Sequence, residues 1–447
     1  MITSKLSMVC KTLNAEFFGK DVQFTGVSID SRTINNNNLF FAIVGENNDG
    51  HIFVEDAIKN GAAAIIVNRR LDIKIPQLIV KDTRIALGEL ARDYRAQFKQ
   101  PIIALTGSCG KTTTKMLITQ ILKTLGSVNT TVGNLNNDYG VPLTLLSMDL
   151  QAKFAVIEMG ANHPKEIAYL THIVQPDVAM ITNAGPVHLE GFKSIQGVAE
   201  SKGEIYQGLN ANGIALINLD DKFSDYWISI NVGTRYLTFG FNPSADIYIS
   251  NIQTLTENQS QFKLHTLQGE CEIQFNLLGE HNIRNALAAA CAGIALNIPL
   301  EKIKRGLESA VAVDKRFVEK ITKDGGKIID DTYNANPLAM EMALKFLSQK
   351  SGERLLIVGD MGELGDESIY YHQELGRQAK EYGINKLYAI GEFTQHTVKS
   401  FGEQGFHFID HNAMLKALEQ QVNKNTTVLV KGSRSARMER IVDALLA

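Results

Sequence analysis

Along the first 80 or so residues, short β-rich apolar runs at 27–29, 39–44, 63–67 and 78–80 surround one helical stretch at 52–60, which predicts a small α/β module. From Asp82, a natural helix cap, Ala86, Leu90, Tyr94 and Phe98 recur every fourth residue as one apolar stripe, and Pro101 stops the helix. A β-branched run at 102–106 then meets a glycine turn and a helix at 111–125 with Leu117, Ile121 and Leu125 on one face. Runs at 154–159 and 178–182, separated by a helical stretch at 164–174, continue the alternation that implies a parallel sheet covered by helices. Between 235 and 278 the pattern changes to consecutive strands at 236–239, 246–249, 261–266 and 272–277, an added antiparallel segment closed by a helix at 281–296.

After Val313 a hairpin reads RFVEKITKDGGKIIDD, with Asp324, Gly325 and Gly326 as its turn. Helices near 339–347, 370–382, 413–422 and 436–446 then alternate with strands at 355–358, 387–390, 406–409 and 428–430, a second doubly wound sheet. The expected fold is α/β in three domains: a small N-terminal domain at 1–84, a central phosphate-loop domain at 85–313 and a C-terminal Rossmann-like domain at 314–447. The length of 447 residues agrees, at roughly 150 residues per domain. No internal repeat is visible, and Asn35 to Asn38 reads as a turn.

Composition narrows the function. With 44% apolar and 21% charged residues, the chain is not wholly disordered, collagen-like or a coiled coil. A formal net charge of −3 supplies no general attraction for nucleic acid or anionic lipid, so any basic site is local. Cys10, Cys109, Cys271 and Cys291 lie far apart without a CxxC pair, which argues against disulfide stapling and a zinc knuckle and fits a reducing cytoplasm. Only five residues separate Lys5 from Lys11, too few for a signal peptide's apolar core, so export is not expected. The uncharged stretch at 285–300 is broken by Asn297 and Pro299 and reads as a buried helix rather than a membrane span.

The strongest chemical signal is TGSCGKTTT at 106–114, placed directly after a strand and opening a helix. Glycines admit backbone N–H groups to phosphate oxygens, Lys111 can bridge the outer phosphates and Thr112 can ligate Mg²⁺, so ATP or GTP is expected here. The general pattern asks for glycine where Leu105 stands. Glu158 ends the buried run FAVIE, at the strand end where open α/β sheets place ligand-contacting groups, and suits a metal carboxylate. His188, in TNAGPVHLEGF, follows the next strand at the same end, where a packed histidine and a ligand are both open readings. On a helix at 194–210, Lys202 shares a face with Val198, Ile205 and Leu209. It is either a snorkelling lysine or a desolvated amine that loses its proton and can be carbamylated. Polar turns at 282–285 and 330–337 read as turn chemistry or as ligand contacts, whereas Lys431 and Arg434 bracket Gly432 and Ser433 in a way that would hold a carboxylate or phosphate.

Taken together, TGSCGKTTT, VIEMGANHPKEI, NAGPVHLEGF, VAESKGEI and GEHNIRNALAA resemble the ATP-dependent Mur ligases of peptidoglycan synthesis. SIDSR, GENNDGHIF, GNLNNDYGVPLTLL, DDTYNANP, GDMGELG and KGSRSARME are similar to the branch of that family that joins D-alanyl-D-alanine to UDP-N-acetylmuramoyl-tripeptide. The resemblance implies phosphorylation of the tripeptide carboxylate by ATP, attack of the dipeptide amine on the acyl phosphate, and release of ADP, phosphate and the UDP-linked pentapeptide. It implies that Gly107, Ser108, Cys109, Gly110, Lys111, Thr112 and Thr113 hold the nucleotide together with Asn282, Arg316, Asp331 and Tyr333. Thr112 and Glu158 would hold one Mg²⁺, and His188 with a carbamylated Lys202 a second. Ser28, Ser31, Arg32, Asn47 and Asp49 would bind the uridine nucleotide. Asn134, Asn136 and Asn137 would face the muramyl peptide, and Asn336, Lys431, Ser433 and Arg434 the dipeptide. It further implies a cytoplasmic monomer with no nucleic-acid partner and no membrane insertion. Two competing readings are a folylpolyglutamate-synthetase-like ligase, against which GENNDGHIF and DDTYNANP argue, and a nucleotide-binding protein without ligation, which would need neither His188 nor Lys202.

Overall fold

The computed structural model describes residues 1–447 apart from 46, 47, 257, 258, 420 and 447. Three large sheets organise the described residues, together with a small antiparallel pair of Thr3–Lys5 and Gln23–Thr25. A five-stranded sheet in the order Glu16–Phe18, Gln77–Ile79, Ala64–Val67, Leu39–Phe41, Val27–Ser28 forms the N-terminal lobe, parallel except for its first strand. Leu39, Phe40 and Phe41 are all buried, because this sheet is covered on both faces. The connecting helix Thr83–Arg95 starts as expected: the Asp82 carboxylate accepts from the Arg84 and Ile85 amides, and Ala86, Leu90 and Tyr94 are buried.

The central sheet has nine strands. Ile102–Thr106 lies between Phe154–Glu158 and Val178–Ile181, all parallel, with Glu158 opposite Leu105 and Ile181 opposite Thr106. That register aligns three carboxyl ends at the point where the strand order reverses, the place where open α/β sheets bind ligands. Val128–Thr130 forms the far edge, and Ile214–Asn218 continues the parallel set. The run at 236–239 departs from expectation: Arg235–Gly240 pairs in parallel with both neighbours, and the antiparallel part begins only with Ile247–Thr256, followed by Gln259–Thr266 and Gly269–Phe275. A consecutive-strand pattern does not encode pairing sense; the short helix Ser224–Ser229 supplies the crossover that makes Arg235–Gly240 parallel.

The helix expected at 194–210 divides into an α-helix, Ile195–Gly203, and a 3₁₀ turn, Glu204–Gly208. Leu6–Leu13, Gly140–Leu146, Leu300–Glu308 and Thr394–Phe401 are helices that periodicity did not reveal. None carries an N-cap side-chain hydrogen bond, so the usual start signal is missing.

The C-terminal sheet has six strands, an antiparallel edge hairpin of Val318–Ile321 and Lys327–Asp331 followed by a parallel set. Thr426–Lys431 sits at its centre, with Lys431 opposite both Asp331 and Val358. One continuous buried apolar cluster runs from Leu6 through Ile102 and Ile181 to Leu344 and Leu387, so the domains share packing rather than hanging on linkers. Among the described residues no helix is long and apolar enough to cross a membrane. All four cysteines are free.

Candidate active site

The carboxyl ends of the central and C-terminal sheets face each other across a cleft of about 1370 Å³. Its floor is the turn after Ile102–Thr106. Gly110 takes φ +80°, and a Cβ there would lie 2.3 Å from Asn285 Oδ1; a Cβ on Gly107 would lie 1.9 Å from Thr182 Oγ1. Both glycines are therefore demanded by close approach. Side chains of the neighbouring strand end fix the turn: Thr182 Oγ1 and Asn183 Nδ2 donate to the Cys109 carbonyl at 2.6 and 3.1 Å, and the Cys109 amide donates to Asn183 Oδ1 at 2.9 Å. The Ser108 hydroxyl is tied to the Gly185 backbone, donating to its carbonyl at 3.2 Å and accepting from its amide at 2.9 Å. The Lys111 ammonium donates to the Gly107 carbonyl at 2.6 Å, and burial lowers its pKa. Ser108, Cys109, Gly110, Lys111, Thr112 and Thr113 line the cleft; Gly107 does not.

Beside this turn, Glu158 is 2% exposed. The Thr112 hydroxyl reaches its two oxygens at 3.0 and 3.3 Å, and Asn136 Nδ2 donates to Oε1 at 2.8 Å. Burial alone would raise this carboxyl, but the Lys115 and Lys111 charges and the Asn136 amide outweigh it and hold the pKa below the usual carboxylate range. Lys115, absent from the sequence reading, is itself buried and lies 3.1 Å from Glu158 Oε2 while donating to the Thr131 carbonyl at 2.8 Å. The available signal was its spacing: four residues after Lys111, it shares that lysine's helix face.

Thr112, Glu158 and the phosphate turn make an oxygen-rich corner. Mg²⁺ is commonly held by one or two carboxylates plus substrate phosphates and waters, and this donor set fits that ion. Among the described residues no group of three His, Cys, Asp or Glu forms an all-protein metal cage. His188 (φ +49°) lines the cleft with its Nδ1 against the Glu363 carboxylate. Lys202 is 2% exposed, its Nζ 5.9 Å from the Phe192 ring centroid, and does not line the cleft. Burial, with repulsion from Lys111, lowers its pKa to about 7. His188 meets the same phenyl ring edge-on, with centroids 6.3 Å apart, so the two side chains converge on Phe192.

The opposite wall belongs to the C-terminal domain. Lys431 Nζ donates to Asp331 Oδ2 at 2.5 Å and to the Asn334 carbonyl at 2.9 Å. Burial raises the Asp331 carboxyl against the opposing pull of Lys431. The Arg316 guanidinium stacks on Tyr333 at 3.9 Å, and both line the cleft with Asp331. Asn336 caps the helix Pro337–Ser348 and lies 3.2 Å from Cys109 Sγ, a direct bridge between walls. Arg434 lines the cleft and pairs with Glu439 at 2.6 Å, whereas Ser433 turns away to the Ser435 hydroxyl at 3.0 Å. Asn282, also on the cleft, donates to the Leu278 carbonyl and accepts from Asn285. Behind it Phe317 packs between His281 at 4.4 Å and Phe346 at 4.8 Å, and Lys345 reaches Glu280 at 2.8 Å. Burial, aided by the Lys431 charge, lowers His281 to about 4, so it is neutral.

Asn134, Asn136 and Asn137 line the cleft on the loop after Val128–Thr130. The remaining group lies outside it, at the carboxyl ends of the N-terminal sheet. The Ser28 hydroxyl donates to the Asp30 carbonyl at 3.0 Å, Arg32 pairs with Asp30 at 2.7 Å, and Ser31 is buried. Asp49 binds Arg69 at 2.7 Å and His51 Nδ1 at 2.5 Å, which keeps its carboxyl well below the usual range. Asn47 lies outside the described residues.

Comparison with known proteins gives a consistent result along the whole chain. Residues 23–95 match the model described as Mur ligase family, catalytic domain; residues 105–293 match the Mur ligase middle domain; residues 315–434 match the Mur ligase, glutamate ligase domain. The UDP-N-acetylmuramoyl-tripeptide–D-alanyl-D-alanine ligase of Escherichia coli (strain K12) is 42% identical over 453 residues, covering 100% of this chain and 99% of the relative. A crystal structure of MurF from Acinetobacter baumannii superposes with TM-score 0.95 at 35% identity, covering 100% of this chain and 99% of that one. The MurF ligase of Thermotoga maritima, solved in complex with ADP, gives TM-score 0.84 at 30% identity over 94% of this chain and 97% of its own.

Proposed function

The chain belongs to the Mur ligase family, and from that premise we infer that it is the ATP-dependent ligase that joins D-alanyl-D-alanine to UDP-N-acetylmuramoyl-tripeptide in peptidoglycan precursor synthesis. The observation that carries the reading is the cleft itself. It sets a phosphate turn and an ionised glutamate on one wall against Lys431, Arg434 and the Arg316–Tyr333 stack on the other. Similarity through residues 23–95 favours this reading over a folylpolyglutamate-synthetase-like enzyme, whose likeness would not include the first domain.

A carboxylate does not accept an amine at neutral pH, so the tripeptide carboxylate must first take the γ-phosphoryl group from ATP. We assign the Gly107–Thr113 turn to the phosphates, with Lys111 leaving the Gly107 carbonyl to neutralise oxygens of the transferring group. Tyr333, Arg316, Asp331 and Asn282 surround the rest of the nucleotide. Thr112 and Glu158 would hold Mg²⁺, and His188 with Lys202 a second ion, supplying charge neutralisation at the phosphoryl oxygens. Lys202 suits this role after its neutral amine adds CO₂, forming an N–C bond and releasing one proton to give a carbamate anion; the lowered pKa supplies the neutral amine.

The dipeptide amine then attacks the acyl carbon, and the tetrahedral intermediate expels phosphate. We assign Asn336, Lys431, Ser433 and Arg434 to the dipeptide side, Asn134, Asn136 and Asn137 to the muramyl peptide, and Ser28, Ser31, Arg32, Asn47 and Asp49 to the uridine nucleotide. Apposition of the two walls excludes the water that would hydrolyse the acyl phosphate. ATP as co-substrate fits a cytoplasmic reaction, which we assign to a monomer. In the test, phosphate is released from ATP only when both UDP-N-acetylmuramoyl-tripeptide and D-alanyl-D-alanine are present; release that ignores the dipeptide rejects the assignment.

A further inference from the structure

We propose that Lys315 and Arg434 together bind the terminal carboxylate of the dipeptide, and that Glu439 is the positioning residue that yokes the two cations. This rests on the reading of Arg434 as a dipeptide contact and supplies the rest of that subsite. The chemistry of the ligand comes first. The dipeptide amine must be neutral to attack the acyl carbon, so the carboxylate at the other end is the one charge by which the dipeptide can be recognised. Two extended residues, about 7 Å, separate these groups, and the partner of the carboxylate must stand off from the reacting centre by that length. Arg434, on the short 3₁₀ turn Arg434–Ala436, lines the cleft and is 64% exposed, as a residue of its rim is. Lys315, in the segment between the helix Leu300–Glu308 and the strand Val318–Ile321, lines the cleft too.

One carboxylate oxygen holds both cations. Glu439 Oε1 accepts from Arg434 Nη1 at 2.6 Å and lies 3.6 Å from Lys315 Nζ. Glu439 is itself only 15% exposed and does not line the cleft; it starts the helix Glu439–Leu446, which Met438, Ile441 and Val442 bury in the C-terminal core. The two cations therefore take their positions from a fixed point behind the wall. Among the described residues Arg434 Nε and Nη2 make no hydrogen bond, so the guanidinium keeps free the edge that grips a carboxylate with two parallel bonds. Lys315 is held by its backbone as well: it takes φ +59°, a region that surrounding structure must enforce on a non-glycine residue, and its carbonyl accepts from the Tyr333 amide at 3.1 Å. Two cations against one carboxylate leave a surplus of one positive charge, the complement of a single carboxylate rather than of a polyphosphate. As plain ion pairs at a rim these contacts would add little to stability.

The test compares D-alanyl-D-alanine with its C-terminal amide as acceptors for the full chain, by phosphate release with ATP and UDP-N-acetylmuramoyl-tripeptide saturating. The parent chain prefers the carboxylate form. Arg434→Ala raises KM for the dipeptide about 10- to 100-fold, and Lys315→Ala and Glu439→Ala raise it about fivefold, while KM for the amide stays within about twofold, so the preference shrinks in all three. Glu439→Gln, which keeps an acceptor for Arg434 Nη1, restores most of the preference. A purely structural lesion would weaken both acceptors alike, and Lys315→Ala, on the cleft wall, carries the test if Glu439→Ala does not fold. If the parent has no preference, or Arg434→Ala keeps it, the reading of Arg434 falls and this inference with it. If Arg434→Ala loses the preference while Lys315→Ala or Glu439→Ala keeps it, the inference alone is overturned. Tighter dipeptide binding by Glu439→Ala also overturns it, because Glu439 would then compete with the ligand, as does a Lys315→Ala effect confined to KM for ATP.

Discussion

Replacing Lys115 with Met tests the electrostatics of the site at its centre. The substitution keeps an unbranched side chain but removes a charge lying 3.1 Å from a carboxylate that is 2% exposed. Breaking a buried ion pair from one side costs about 3–5 kcal/mol, because the partner is left uncompensated. Glu158 has one escape, which is to bind a proton. From an ordinary glutamate value of about 4.3, at 1.36 kcal/mol per pH unit, protonation costs about 4 kcal/mol at pH 7.5 and about 1.6 kcal/mol at pH 5.5.

The sign follows: the depressed Glu158 pKa of the parent chain contributes stability above the ordinary carboxylate range and loses it as pH falls through the depressed value. The gap between parent and variant is therefore largest near neutrality and narrows towards pH 5. The assay is built into the chain, whose single tryptophan, Trp227, is fully buried in the central domain with its indole N–H donating to the Ala199 carbonyl at 3.1 Å. Urea unfolding followed by its fluorescence, with a slope of about 2–3 kcal/mol per molar, should show the midpoint falling by about 1–2 M at pH 7.5 and by well under 1 M at pH 5.5. Adding Glu158→Gln to Lys115→Met should recover most of the loss. A midpoint shift below about 0.3 M at pH 7.5, or a double variant no better than the single, refutes the reasoning.

Lys202→Ala should abolish ligation and regain part of it with added short carboxylic acids, and full activity in the variant removes the carbamate. In CO₂-depleted buffer the lowered Lys202 pKa means that the unfolded chain binds the proton and the native chain does not between about 7 and 10.5, so stability relative to Lys202→Met rises with pH across that window; a flat difference by tryptophan fluorescence contradicts it. Gly110→Ala forces a Cβ to 2.3 Å from Asn285 Oδ1 at φ +80°, and should lower ATP affinity at least about 100-fold by calorimetry, a loss of about 2.7 kcal/mol, while Trp227 reports a folded central domain.

Where local chemistry is self-sufficient, the sequence was readable. Asp82 before a four-residue apolar period marks its helix, and a β-branched run followed by glycines and Lys111 marks the phosphate turn, because each signal is complete within a few neighbours. Glu158 was also legible, as the last residue of a buried parallel strand. Lys115 was not, since a lysine in TTTK reads as solvated until Thr131 and Glu158 arrive from elsewhere in the chain. Glu363 sits in a segment whose resemblance was visible while its contact was not, because that contact depends on how two domains meet. Pairing sense at Arg235–Gly240 escaped for the same reason: it is set by a crossover, not by the strand's own residues.

The hydrogen bond from the Lys111 ammonium to the Gly107 carbonyl sets an admission threshold for the turn. An anion arriving there meets a cation already engaged, and must displace a charge-assisted bond worth about 1.5–3 kcal/mol before gaining anything from it. Chloride or a lone monovalent ion has one contact to offer in exchange; a triphosphate, touching several amides of the turn at once, recovers the deficit many times over. The turn thus discriminates by multiplicity of contact, favouring a polyphosphate over the small anions that crowd around it.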